Sequence, residues 1–242
     1  MFIGYGVGEP IVYWFLRIFL LIVLTYCGWG ISNDTPKRYN KYAWFAGISY
    51  SLIQGLRWLR GADYPHYYND IVTLLGQYNI DKLPAVVTDE PELLYRIWCT
   101  VFYYSNLPFW VAFVVYSALL MGGVLLILRH YRKAAVWALP LFFILTPSAE
   151  NLIRQYIAVS FILYAYYFYL SDKKKKMWIS LCAVPLIHFS GIIAVIVFVI
   201  SVYLPQCVVR KMQVNWLPCL LVLLFLYCYY FWDSSNLSYL VD

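Results

Sequence analysis

Between Gly55 and Tyr67 the chain reads Gly-Leu-Arg-Trp-Leu-Arg-Gly-Ala-Asp-Tyr-Pro-His-Tyr, which sets two guanidinium groups, Arg57 and Arg60, just ahead of a carboxylate, Asp63, and two phenols, Tyr64 and Tyr67. A guanidinium is permanently charged and its planar fork matches phosphate oxygens. A carboxylate beside it can take a proton from an attacking hydroxyl. The tyrosines are then placed to contact a sugar. Three other places in an otherwise apolar chain carry similar groups: Glu92 with Glu90 and Arg96, Arg154 and Gln155 after Glu150, and His188 with Ser190. Together these residues suit transfer of a group away from a diphosphate, whose developing charge needs preorganised positive partners. Asp63 or Glu92 would be the base, with His188 as a second choice. Arg57, Arg60, Arg154 and Gln155 would hold the diphosphate.

Each residue also has a simpler explanation. Arg57 and Arg60 could snorkel to lipid headgroups. Asp63 could cap a helix starting at Tyr64–Tyr67. Glu92, after Pro91, fits the first turn of a helix, where the dipole favours an acid. His188, between Ile187 and Phe189, reads more readily as a satisfied buried histidine than as a catalyst. Arg154 is harder to explain away: it lies just inside an apolar span, where an ionisable group is costly unless it acts.

The surrounding elements are membrane-like. Of 242 residues, 63% are hydrophobic and only 12% charged, against about 25% charged in soluble domains, and mean hydropathy is +0.67. This predicts an all-α, polytopic transmembrane bundle of about seven or eight segments, one integral membrane domain over 1–242 with one large extracytoplasmic loop over 57–92. The expected segments are Ile11–Gly30, Tyr42–Leu56, a span within Phe102–Leu128 preceded by a shorter helix from Pro91, the short Ala134–Leu145 with Pro140, Leu152–Leu170, Trp178–Leu204, and Trp216–Trp232. A break at His188–Gly191 would divide Trp178–Leu204 into two halves of about 13 residues, each too short for a full crossing. Such a hairpin or re-entrant pair would bring Arg210 and Lys211 back to the side of the other basic loops. Glu9 and Pro10 lead into the first apolar run without a basic start, so no secretory leader is expected. The scattered cysteines, Cys27, Cys99, Cys182, Cys207, Cys219 and Cys228, form no CxxC pair and read as small buried hydrophobes.

Sidedness follows from short basic loops. Lys37, Arg38 and Lys41; Arg129, Arg132 and Lys133; and Lys173–Lys176 fall on one side if the spans alternate, which makes that side cytoplasmic and the N-terminus external. The net charge of +6 is then topology rather than nucleic-acid binding. The polar groups near Arg57, Glu92, Arg154 and His188 all fall on the opposite, outer side. Tyr164, Tyr166, Tyr167 and Tyr169 read as part of an interfacial belt. There is no Walker loop, HExxH or GxSxG, and the chemistry requires no metal or cofactor.

The ordered set Gly55-Leu56-Arg57 with Gly61, Asp63-Tyr64 and Tyr67; Glu92 with Leu94-Tyr95; Asn151-Leu152-Ile153-Arg154-Gln155 with Ala158 and Ser160; and Ile187-His188-Phe189-Ser190 after a lysine-rich loop resembles the EpsG-type branch of Wzy-like polysaccharide polymerases over roughly residues 40–200. The resemblance implies an inner-membrane glycosyltransferase that joins lipid-linked oligosaccharide repeats, carried on undecaprenyl diphosphate, into exopolysaccharide, capsule or O-antigen. It also implies a flippase and a chain-length regulator as partners, alongside membrane lipid. Family members run longer toward the C-terminus, so the chain reads as a short or C-terminally truncated member. Two other classes fit the same residues. A flippase for lipid-linked sugars would show repeated broken helices, and the break near His188 has no counterpart. A non-catalytic scaffold would tolerate alanine at the arginines and acids. A membrane acyltransferase is a weaker fit, with only His188 to serve it.

Overall fold

A computed structural model describes residues 8–56, 67–68, 92–105, 107–144 and 152–203. Among these residues every regular element is helical: α1 (Gly8–Asn33), α2 (Tyr39–Gly55), α3 (Leu93–Tyr104), α4 (Trp110–Leu128), α5 (Ala135–Ile144), α6 (Ile153–Leu170), α7 (Lys174–Ile187) and α8 (Gly191–Tyr203). Short 3-10 turns at Pro36–Arg38 and Arg132–Ala134 lead into α2 and α5. Arg57, Arg60, Asp63, Tyr64, the three C-terminal cysteines and the expected span Trp216–Trp232 lie outside the described residues. The chain divides into two compact units, Met1–Val195 and Ile196–Asp242. Of the second, the described part is the C-terminal portion of α8; all that follows concerns the first.

Among the described residues, two helices, Ile11–Asn33 within α1 and Trp110–Leu128, are long and apolar enough to cross a membrane. The surface of α1 explains why it needs an apolar solvent: Trp14, Phe15, Ile18, Ile22 and Trp29 are all exposed, a continuous apolar face that a water-soluble chain avoids. The remaining helices are shorter or more polar. The run Phe102–Leu128 contains α4, but its first residues belong to the shorter α3. Pro108, which restricts Leu107 and has no N–H to give, lies in the link between them. The short segment around Pro140 is a ten-residue helix.

Helix α4 is the spine. Its C-terminal half (Leu120, Met121, Leu125, Leu128) joins α1, α2 and α5 in one buried core around Leu20, Leu24, Tyr50 and Leu139. Its N-terminal half (Ala112, Phe113, Tyr116) joins α3, α6 and α7 in a second, around Tyr95, Ile153, Ile157 and Val184. Apolar attraction between helices is weak when the solvent is also apolar, so close backbone approach matters. A side chain at Gly55 would run into the backbone of Val114, and one at Gly28 into the carbonyl of Ala135; both positions need glycine because two helices meet there. Tyr164 donates its hydroxyl to the Leu119 carbonyl at 3.0 Å and ties α6 to α4. Of the described cysteines, Cys27 and Cys99 are buried as expected, but Cys182 is exposed.

The basic links meet at one end of this unit. Arg132 donates to the Ile31 carbonyl at 3.2 Å and also to that of Asp34. Tyr131 and Tyr166 share a hydrogen bond at 3.2 Å, and His130 packs its ring on Tyr167. The segments carrying Lys37–Lys41, Arg129–Lys133 and Lys173–Lys176 are thereby brought together. Arg154 starts α6 and His188 follows α7, so both lie at the far ends of their helices from these links. Across the 18 residues of α6 that is about 27 Å.

Candidate functional site

The site is assembled where three chain segments end. Helix α3 begins after Glu92, which occupies the N-cap position with backbone angles of φ −104° and ψ 56° and makes no capping bond with its side chain. The first-turn role expected for Glu92 is therefore not the one it takes. Its carboxylate turns away from its own helix and bridges two partners distant in sequence. One oxygen accepts from Arg154 Nη1 at 2.7 Å and the other from His188 Nδ1 at 2.6 Å. Both distances are those of charge-assisted bonds.

Each partner is held by its local fold. Ile153 and Ile157 are buried in the second core, which fixes the rotation of α6 and sets Arg154 at the flank. The last turn of α7 contains Pro185, and His188 then leaves the helix with extended angles, φ −152° and ψ 118°. The chain turns at once, Gly191 N–H donating to the His188 carbonyl at 2.9 Å, and Gly191 is pressed against Val184 with no room for a side chain. The break expected at His188–Gly191 is present, and it presents the imidazole to Glu92.

Electrostatics fix the protonation pattern. Burial by itself pushes the Glu92 carboxyl upward. The His188 hydrogen bond, then the Arg154 charge, more than offset it, and the group is held below the usual carboxylate range. An ionised carboxylate only accepts, so His188 Nδ1 carries the hydrogen it gives to Glu92. In the neutral ring the lone pair is then on Nε2. Arg154 uses one donor on Glu92, yet its side chain is 42% exposed while that of Glu92 is 11% and that of His188 20% exposed. A guanidinium has five N–H donors, so capacity for an oxyanion remains. The Arg154 guanidinium lies over two aromatic rings, Tyr95 at 5.5 Å and Tyr67 at 6.0 Å from ring centroid to Cζ, within the range of cation–π attraction.

Four of the residues singled out from the sequence, Tyr67, Glu92, Arg154 and His188, thus come together. Tyr67 is buried, beside Arg154 and with its ring steeply inclined to that of Tyr95. Gln155, one residue on and so about 100° further round α6, is exposed and makes no hydrogen bond with Glu92, Arg154 or His188. Tyr95 was not singled out as a site residue, although its place three residues after Glu92 puts it on the same helix face. Arg17 also went unnoticed. It is buried in α1 with its guanidinium 4.9 Å from the Tyr13 ring and 5.8 Å from that of Phe143; a lone arginine inside an apolar run was the signal.

An apolar groove adjoins the cluster. It has a volume of about 490 Å³ and runs along α7 between Lys175 and Leu186, with Leu94 of α3 on its wall and Trp178, Ile179 and Cys182 along its length. One end is thus two residues from both Glu92 and His188.

The EpsG family profile matches residues 40–241. The chain belongs to the EpsG family. Among curated proteins and solved structures, no match is found. Family and apolar helices together make this EpsG chain a helical membrane protein of the polysaccharide-polymerase type. The EpsG match spans Glu92, Arg154 and His188, the three members of the hydrogen-bonded cluster.

Proposed function

We propose that the protein is a membrane glycosyltransferase that polymerises polyprenyl-diphosphate-linked oligosaccharide repeats into exopolysaccharide, capsule or O-antigen at the outer face of the inner membrane. The observation that carries this reading is the Glu92 carboxylate bridging Arg154 and His188. In the reaction, His188 Nε2 removes the proton from an acceptor sugar hydroxyl. The oxygen forms a bond to the anomeric carbon of the donor, and the bond from that carbon to the diphosphate breaks, with its electron pair leaving on the lipid diphosphate. Arg154 neutralises the charge that develops there. Glu92 is a positioning residue: it fixes the tautomer and orientation of His188, stabilises the imidazolium formed by proton transfer, and anchors the arginine. Arg57, Arg60 and Asp63 complete the diphosphate and acceptor contacts, with Tyr64 and Gln155 at the sugar and phosphate margins. The lipid tail lies in the groove along α7. A flippase supplies the donor, and a chain-length regulator acts on the product.

The test is the size distribution of surface polysaccharide from a deletion strain complemented at matched protein levels. Wild type restores a long-chain ladder, and Arg154→Ala yields single exported repeats. An unchanged ladder with Arg154→Ala overturns the assignment. Repeats retained inside the cell would indicate a flippase instead.

A further inference from the structure

A second groove, about 420 Å³ in volume, runs between α2 and α4, and the catalytic reading makes no use of it. Its walls are small or apolar: Ala43, Gly47, Ile48, Ser51 and Leu52 from α2, and Val114, Ala118, Gly122 and Leu126 from α4. Small residues on both helices make the hollow, and exposed Trp44, Ile48 and Leu52 leave it open along the outer face of the bundle. The volume is that of roughly fourteen waters, yet the lining offers water few partners: Ser51 already donates its hydroxyl to the Gly47 carbonyl at 2.6 Å. A single hydrocarbon chain is the natural filler.

One end of the groove is different. Asn40 and Arg129 stand at it, both exposed, where α2 starts and α4 stops. Lys37, Arg38 and Lys41 are exposed in the same stretch of chain. We propose that this groove binds one anionic phospholipid, its acyl chain between α2 and α4 and its phosphate on Arg129. Basic pockets between membrane helices recognise anionic headgroups in this way. The lipid is not the polymerase substrate. Its head sits at the basic end, whereas Arg154 and His188 lie at the opposite ends of α6 and α7, so a carrier with its diphosphate at Arg154 cannot have it at Arg129. The proposal stands independently of the catalytic reading.

The experiment is native mass spectrometry of the full chain, released from detergent after titration with phosphatidylglycerol, phosphatidylcholine or polyprenyl phosphate. Wild type retains one phosphatidylglycerol at least fivefold more tightly than phosphatidylcholine. Arg129→Gln lowers that preference about fivefold, the effect of about 1 kcal/mol per cation near a headgroup, and Arg129→Lys keeps most of it. Ala118→Phe, which fills the hollow from an exposed position, removes both lipids. Melting curves matched to wild type show that each variant is folded, and Ala118→Phe carries the test if the glutamine variant is not. Equal retention of the two phospholipids, indifference to Arg129, or a preference for polyprenyl phosphate would each overturn the proposal. None of these results alters the polymer ladder expected of Arg154→Ala.

Discussion

Asp34 and Glu92 are hydrogen-bonded carboxylates at opposite ends of the bundle, and they are built differently. Asp34 accepts from the Thr35 N–H at 2.8 Å, Arg38 at 3.2 Å and Tyr42 at 3.1 Å, all within eight residues of itself. Glu92 accepts from partners 62 and 96 residues away. The acid of Asp34 is lowered first by the Thr35 N–H; desolvation opposes this, and the Arg38 and Tyr42 hydrogen bonds add to the lowering. That is the work of a turn ending α1 and starting α2. Glu92 pays for closing two long loops and for leaving water, and ends no helix with its side chain. Local contacts punctuate the chain, whereas a buried contact spanning three segments has to be explained by what it holds together. Here that is a guanidinium with donors to spare and an imidazole with Nε2 unengaged by Glu92.

The largest expected effect separates the two ends most sharply. Arg154→Ala lowers the polymerisation rate about 10²- to 10³-fold, measured with lipid-linked repeats in detergent at matched protein. Arg154→Lys recovers little, because a lysine lacks the planar fork and the aromatic stacking. If Arg38→Ala at the basic end costs as much, the asymmetry between the ends is wrong.

Glu92→Ala leaves Arg154 and His188 without their shared acceptor. A buried pair broken on one side costs about 3–5 kcal/mol, and with Arg154 42% exposed we expect about 2 kcal/mol, read from chemical denaturation in detergent. The pH dependence has a definite sign. The Glu92 carboxyl is lowered in the native state, so its contribution is present above the unfolded value of about 4.3 and is lost as pH falls through the lower native value. The melting gap between wild type and Glu92→Gln should be open at pH 6 and close below about pH 4. A gap unchanged down to pH 3 would show that no ionised carboxylate holds the cluster.

Cys182 provides a more modest probe of the groove beside the site. Its thiol is exposed on the groove wall, and a lipid-linked donor should slow its modification by a maleimide several-fold, with buried Cys27 and Cys99 unmodified in either case. Modification at the same rate with and without donor would remove the lipid tail from α7.

At the basic end the expected effects are smallest. Asp172 has φ 53° in the turn that closes α6, where Lys173 N–H donates to the Phe168 carbonyl at 2.8 Å and Asp172 N–H to that of Tyr169 at 3.0 Å. This is the helix-ending motif that favours glycine, so Asp172→Gly should stabilise by up to about 1 kcal/mol and leave polymerisation unchanged.

The same contrast between local and distant contacts governs what the sequence could disclose. Helices α1, α2 and α6 are legible because hydropathy is a property of neighbouring residues. The link between α3 and α4 is blurred because Leu107 and Phe109 keep the local average apolar across Pro108. The break at His188 is legible as a polar interruption, and so is its residue. The individual members Glu92, Arg154 and His188 stand out by being ionisable in apolar surroundings. Their partnership does not, since nothing local relates positions 92, 154 and 188. Hence Glu92 reads as a first-turn acid from its own neighbourhood and becomes the centre of the cluster only in three dimensions. Tyr95 and Arg17 fall outside that set for different reasons: Tyr95 is an ordinary aromatic in a chain with 25 tyrosines, whereas Arg17 carries the same signal as Arg154, an ionisable group in an apolar run, but has no other polar residue beside it to make a motif.

The central claim is that Glu92, Arg154 and His188 act as one unit, and a double-mutant cycle on polymerisation rate tests it most directly. Residues acting as a unit are strongly non-additive. Glu92→Gln, His188→Gln and their combination are compared at matched protein and matched fold. The account predicts that the double variant is no slower than the worse single variant, within about twofold. A double variant slowed by the product of the two single losses would contradict it, because Glu92 and His188 would then contribute independently.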